Sequence, residues 1–112
     1  MATARHPELL AQLEQACAEL GEAERTGAHG CDAVAAPGGR AFALIAADGR
    51  IGVRLPDWDL FAAAYELPGS DPLFEGDQRV GHWVVLPEEL RSDPPALRVW
   101  LGHAHALSAS RV

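Results

Sequence analysis

The residues able to do chemistry are few, and their spacing argues against most of it. His103-Ala104-His105 is the nearest approach to a metal motif. On a helix, residues two apart point about 200° apart around the axis, so these imidazoles flank an apolar stripe instead of meeting at one ion. Histidines at spacing i, i+4 could chelate one ion from a helix. His82 stands beside Trp83 in an apolar run, with no cysteine or carboxylate at ligand spacing, and is expected to be a hydrogen-bonded histidine in or beside a sheet. Cys17 and Cys31 form no CxxC pair, and Cys17 falls inside an apolar helical arc, where a buried inert thiol is expected. Ser70, Ser92, Ser108 and Ser110 sit in neither GxSxG nor SxxK and read as turn, cap or tail residues. Asp57/Asp59 and Glu88/Glu89 read as a cap and solvated acids. The glycines between residues 27 and 39 do not match GxxxxGK[ST], and they lead into a strand, not a helix. No set of nucleophile, base and oxyanion donors emerges. The expectation is a non-enzymatic protein with no cofactor and no metal.

The totals fit that reading. At 112 residues, 48% hydrophobic and 22% charged, the chain suits one soluble domain spanning 1–112 with a modest core. Its formal charge is −7, and all nine basic residues are arginines. An acidic balance argues against non-specific nucleic-acid binding, which needs clustered positive charge. No apolar run approaches a membrane span, and the two cysteines follow no secretory signal, so a cytoplasmic, reduced protein is expected.

The elements follow from periodicity. His6-Pro7-Glu8 opens a helix whose apolar arc is Leu9, Leu10, Leu13, Ala16, Cys17 and Leu20. Gly21 is one stop for it, and Glu22–Arg25 could carry it on to Gly27. A short strand is expected near 32–36, and Pro37-Gly38-Gly39 reads as a turn. The most legible stretch is Arg40–Pro56. Asp48-Gly49 suits a two-residue type I′ turn, which pairs Phe42 with Leu55, Leu44 with Val53 and Ala46 with Ile51 on the buried side. Ala43/Arg54, Ile45/Gly52 and Ala47/Arg50 then share the other side. Asp57 caps a helix across Trp58–Leu67, ended by Pro68-Gly69. Leu73–Gln78 is a short strand or an extended segment with a turn, and Val80–Leu86 is a strand apolar on both faces, hence central or covered on both sides. Pro87–Leu90 forms one helical turn, and Ser92-Asp93-Pro94-Pro95 starts a last helix with the stripe Leu97, Trp100, Leu101, Ala104 and Leu107. Single helices between strand pairs indicate an α+β fold with a largely antiparallel sheet.

The order of these motifs resembles the N-terminal domain of the TfoX/Sxy family. Gly38-Gly39-Arg40-Ala41-Phe42-Ala43-Leu44, Asp48-Gly49, Ile51-Gly52-Val53-Arg54-Leu55, Pro72-Leu73-Phe74-Glu75-Gly76, Trp83–Leu90 and Leu97…Trp100-Leu101…Ala104 carry it, over about residues 8–109. Ala36-Pro37 departs from the Met-Phe that often precedes Gly-Gly there, and the usual basic residues nearby are absent. MmcQ/YjbR-like proteins share the pattern of hairpin, helix, "WV" strand and final helix. The resemblance implies a secretion-chaperone-like α+β fold, a twisted antiparallel sheet with helices mainly on one face. It also implies a non-catalytic role in transcription or competence regulation through protein partners.

Two kinds of function follow. One is a cytoplasmic regulatory or protein-interaction module, with a candidate interaction face of Arg40, Ala43, Ile45, Arg50, Gly52 and Arg54. The small residues there would admit a partner or a second copy of the chain, unless the 27–39 loop or the first helix covers them. The alternative is YjbR-like nucleic-acid binding through Arg40, Arg50 and Arg54 gathered with Arg79. A third reading places a small-ligand pocket between the Trp58–Leu67 helix and the sheet, lined by Trp83 and Phe74.

Overall fold

The computed structural model describes residues 7–18, 20, 23–36 and 40–109. Its elements run α1 (Pro7–Cys17), β1 (Glu24–Ala28), β2 (Cys31–Ala35), β3 (Ala41–Ile45), β4 (Ile51–Arg54), α2 (Trp58–Tyr65), β5 (Asp71–Glu75), β6 (Gln78–Val85), α3 (Glu88–Arg91) and α4 (Pro94–Ala109). All six strands join one antiparallel sheet in the order β1-β2-β3-β4-β6-β5. The fold is α+β, with the helices packed on one face of a twisted sheet. Leu10, Leu13 and Cys17 of α1, Ala64 of α2, and Leu97, Leu101 and Ala104 of α4 share one buried cluster with Val34, Phe42, Val53 and Val84 of the sheet. The opposite face has a smaller cluster: Ala33, Leu44, Ala46, Leu73, Trp83 and Val85, with no helical residue among them.

Three hairpins show three turn solutions. Ala28 pairs with Cys31 across His29 (φ 52°) and Gly30 (φ 77°), and two positive φ angles in a two-residue loop are the mark of type I′. Glu75 pairs with Gln78 across Gly76 and Asp77, where only the first residue has positive φ, as type II′ requires. The β3–β4 turn departs from expectation. The pairs are Ala43↔Val53, Leu44↔Gly52 and Ile45↔Ile51, one residue away from the two-residue register. Ala46 N donates to Arg50 O at 2.8 Å, and Gly49 N to Ala46 O at 2.9 Å, so the loop is Ala47-Asp48-Gly49 with only Gly49 at positive φ (92°). Asp48 favours this form, because its Oδ1 accepts from Arg50 N at 3.1 Å and its Oδ2 from Arg50 Nε at 2.8 Å.

The shift moves Leu44 and Ala46 to the helix-free face and brings Ala43 and Ile45 beneath the helices. Phe42 keeps its expected side with Ile51, Val53 and Leu55. Val34 pairs with Ala43 and Ala35 with Ala41, so Phe42 is an extra residue in a bulge, and its ring meets His105 of α4 edge-on at 5.2 Å. A second irregularity lies in β6. Leu73 pairs with Val80 but Pro72 with Val84, leaving Gly81-His82-Trp83 as excess, with His82 at φ 68°. Bulges increase twist and bend, and the sheet curls accordingly. Strands spaced at about 4.8 Å would hold the edges of a flat six-stranded sheet roughly 24 Å apart. Yet His29 Nδ1, at the β1–β2 turn, lies 3.0 Å from Glu75 Oε1 on the opposite edge strand. His29 also meets Trp83 edge-on at 5.8 Å, which closes the curl over the smaller cluster.

Other expectations divide cleanly. Asp57 Oδ1 accepts from Leu60 N at 3.1 Å, the expected cap, although α2 ends at Tyr65 with Glu66 as its C-cap. β6 is internal, and α3 is the single turn expected after Pro87. The first helix does not run to Gly27, because Glu24–Ala28 is a strand. The helix start at His6 and the turn at Pro37-Gly38-Gly39 lie outside the described residues.

Candidate interaction surface

Asp57 starts α2 so that Trp58, Phe61 and Tyr65, at spacing i, i+3, i+7, share one side of the helix. Their rings stack in a ladder. Trp58 and Phe61 are 5.7 Å apart and 10° from parallel; Phe61 and Tyr65 are 6.0 Å apart and 11° from parallel. Arg79 of β6 ends the ladder, with its guanidinium carbon 5.5 Å from the Tyr65 ring centre, a cation–π contact. Phe74 pairs with Arg79 across β5–β6 and therefore stands on the same side of the sheet. Trp58 is 76% exposed, Phe74 55% and Tyr65 41%, so three of the four large exposed apolar side chains among the described residues lie on this ridge. Asp57 before α2, and Asp59 and Glu66 on and after it, are also exposed, on a different side of the helix from the ladder in the case of Asp59 and Glu66. α2 buries only Ala64 fully; Phe61 is half-buried against the helix-side core, while Trp58 and Tyr65 are exposed.

The six residues expected to form one face do not. Ala43 and Ile45 are buried in the helix-covered cluster, because the shifted register turns them toward α4. Gly52 pairs with Leu44 and Val85, and a Cβ there would stand 2.9 Å from Leu44 Cδ1. Arg50 is a clamp. Besides Asp48, its Nη1 donates to Asp71 Oδ2 at 2.6 Å and Gly69 O at 3.2 Å, tying the hairpin tip to the α2–β5 connection. The Asp71 bond, more than the Asp48 one, raises the Arg50 guanidinium above its ordinary value. Burial works to raise the Asp48 carboxyl, but hydrogen bonds from Arg50 and its charge outweigh it and hold the group below its usual range. Arg54 pairs with Trp83 and so belongs to the curled face; burial, then the charge of Arg40, lowers its guanidinium. Arg79 is engaged by Tyr65 on the other side of the sheet. These four arginines are therefore not gathered into one patch. Nor do Trp83 and Phe74 line one pocket, since Trp83 belongs to the curled face and Phe74 to the helix side.

Several of the remaining candidates have structural employment, whereas His82 is exposed and Ser110 lies outside the described residues. His105 abuts Phe42, whereas His103 meets Trp100 at 5.9 Å, so the two imidazoles diverge. Ser70 Oγ donates to Ala64 O at 2.7 Å and closes the end of α2, and Ser108 Oγ donates to Arg40 O at 3.0 Å. Cys17 is fully buried, and burial, with Glu14 nearby, pushes its thiol up to about 12. Among the described residues, no group of three or more His, Cys, Asp or Glu could hold a metal, and no helix is long and apolar enough to cross a membrane.

The aromatic spacing was visible in the sequence. Periodicity puts Leu60, Phe61, Ala64 and Tyr65 on one apolar side with Trp58 on its margin; Leu60, Phe61 and Ala64 do meet the core, but Tyr65 is 41% exposed. Fold and surface together define an α+β module with one curled sheet and one exposed aromatic ridge. No protein-family model, curated protein or solved structure matches the chain.

Proposed function

We propose that this is a non-catalytic interaction module that grips a segment of a partner protein on the α2 ridge. The observation that carries the reading is Trp58, 76% exposed at the head of a parallel aromatic ladder. Aromatic residues dominate binding hot spots, and leaving one in water forgoes its burial energy unless a partner covers it. Exposed acids elsewhere on the helix, Asp57, Asp59 and Glu66, and the net charge of −7 favour an apolar segment flanked by basic residues. The order of motifs supports kinship with the TfoX/Sxy N-terminal domain. With it comes a cytoplasmic role in transcription or competence regulation through protein partners. The hairpin register no longer adds to that kinship.

The test is a titration of a leucine- and proline-containing peptide flanked by arginines against the same peptide flanked by glutamates, read by calorimetry. The basic peptide binds saturably, and Trp58→Ala weakens it by about tenfold or more, as loss of an aromatic anchor does. Equal binding of both peptides, or indifference to Trp58→Ala, defeats the reading. A light-scattering mass that doubles, and halves again in Trp58→Ala, would make the partner a second copy of the chain.

A further inference from the structure

The two edges of the sheet, β1 and β5, are guarded unequally. An open edge presents unpaired N–H and C=O groups to any other strand, and proteins protect edges with proline and charge. β5 has both. Pro72 offers no N–H, and antiparallel pairing of β5 with a second copy about Leu73 would set Asp71 against Glu75. β1 has no proline, and Glu24, Arg25, Thr26 and Gly27 are all exposed. The pair Ala28↔Cys31 closes a two-residue loop, so those two residues exchange both hydrogen bonds, and the exchange recurs at every second pair along the ladder. Thr26 and Glu24 therefore bond inward to β2, while Arg25 and Gly27 turn their N–H and C=O groups outward.

Gly27 is a second, separate observation. A glycine inside a strand weakens it, and commonly marks a bulge, a bend or the close approach of another backbone. β1 pairs with β2 without a break in register, and Gly27 has no positive φ. Among the described residues, a Cβ there would meet nothing nearer than Cys31 O at 3.8 Å. Neither local conformation nor packing among those residues calls for this glycine.

From the open edge and this glycine we infer that β1 pairs antiparallel with β1 of a second copy of the chain, about a two-fold axis at Thr26, so that two sheets become one. Arg25 of each copy exchanges both backbone hydrogen bonds with Gly27 of the other, and Thr26 faces Thr26. Gly27 leaves space for the Arg25 side chain opposite it, which stays with Glu14 of its own α1. No like charges are opposed, and Thr–Thr is a favourable cross-strand pair. A two-fold at Arg25 instead would set two arginines face to face, so the charges select the register. The edge is thus complementary to itself, which makes the occupant a copy of the chain. The interface is short and each copy carries a charge of −7, so the pairing is weak and strengthens as salt screens the repulsion. It lies on a different element from the α2 ridge, and its success or failure leaves the ridge reading untouched.

Sedimentation equilibrium over a concentration series, at low and at high salt, is the test. It gives a monomer–dimer equilibrium that moves toward dimer at high salt and is unchanged by Trp58→Ala. Thr26→Lys, at the exposed position that meets itself across the axis, weakens the dimer about fivefold or more, as opposed like charges do, while Thr26→Val does not. Circular dichroism shows each variant folded. Cross-linking in a Cys31→Ser background fixes the register. Thr26→Cys joins two chains under mild oxidation, because directly opposed residues of a non-hydrogen-bonded pair stand about 4.5 Å apart, within disulfide reach. Gly27→Cys does not, because the two copies of that residue lie on a diagonal, about 7–8 Å apart. A chain monomeric at every concentration and salt, a dimer indifferent to Thr26→Lys, a dimer lost in Trp58→Ala, or Gly27→Cys cross-linking as fast as Thr26→Cys would overturn the inference.

Discussion

The two faces of the sheet are closed by different means. On one, three helices lay Leu10, Leu13, Cys17, Ala64, Leu97, Leu101 and Ala104 over the strands, and long apolar side chains do the sealing. On the other, no helix covers the strands. Bulges at Phe42 and at Gly81–Trp83 curl the sheet until His29 reaches Glu75 and Trp83, and the sheet covers itself. The first closure rests on apolar area, which is non-directional and tolerant of small shifts. The second rests on backbone geometry and a few rim contacts, and it should open more easily. Each face also carries its own cysteine. Cys17 lies in the helix-side cluster, while Cys31 packs at the rim of the curled one, its Sγ 3.7 Å from His29 O.

The thiols give the largest contrast. Only the thiolate reacts, and burial pushes Cys17 up to about 12 while leaving it fully covered. At pH 8 a disulfide reagent should modify one thiol of the native protein, at Cys31, and reach the second only on unfolding. The ratio of rates should be on the order of a thousandfold or more, as the small thiolate fraction and the burial both demand. Mass mapping that finds Cys17 modified first would reverse the ranking of the two faces.

Truncation comes next. Leu101 is 0% exposed beneath α4, and Leu101→Ala should cost about 3 kcal/mol in denaturant unfolding, within the usual range for Leu→Ala. Leu73→Ala, on edge strand β5 in the smaller cluster, should cost about 2 kcal/mol or less, because an edge strand relaxes into the space it leaves. Equal losses would mean that the curled face is packed as firmly as the helical one. Gly52→Ala tests the contact between strands on the curled side. The new Cβ meets Leu44 Cδ1 at 2.9 Å and Cγ at 3.3 Å, and Leu44 is fully buried, so overpacking should cost about 1–2 kcal/mol. A neutral result would show that Leu44 has room to turn.

The helical face was the more legible in the sequence. The α4 stripe, the Asp57 cap, the Cys17 position and the two-sided Trp83-Val84-Val85 strand all state their burial in local periodicity. The curled face was not. Glu-Arg-Thr-Gly-Ala of β1 has no apolar alternation, because an exposed edge strand is held by its ladder and needs none. The Asp48-Gly49 pair is compatible with two-residue and three-residue loops alike, and contacts far along the chain bear on it: Arg91 Nη1 on Gly49 O, and the Phe42 bulge. His29-Gly30 made the type I′ turn instead. A histidine at positive φ is uncommon enough that local preference would not select it. For the ridge, the spacing of Trp58, Phe61 and Tyr65 was in plain view, and only the packing of α2 decided which way it faced.

The smallest effect concerns β1, the strand attached to both layers. Arg25 Nη2 lies 2.7 Å from Glu14 Oε1 of α1, and the turn that follows β1 carries His29 to Glu75. The hydrogen bond from Arg25 lowers the Glu14 carboxyl, burial opposes it, and the Arg25 charge adds to the lowering. A carboxyl lowered in the folded state contributes stability that is present above its unfolded value near 4.5 and is lost as pH falls through the folded one. Both side chains keep solvent contact, Arg25 at 60% and Glu14 at 30% exposure, so screening by water should keep the contribution small. Urea midpoints of the parent and Glu14→Gln should therefore differ slightly at pH 6 and converge by pH 3. Glu14→Gln should leave the accessibility of Cys31 unchanged, since α1 grips β1 from the helical side, whereas Glu75→Gln, at the rim of the curl, should raise it. If Glu14→Gln exposes Cys31 as readily as Glu75→Gln does, the two faces do not open independently, and β1 couples them.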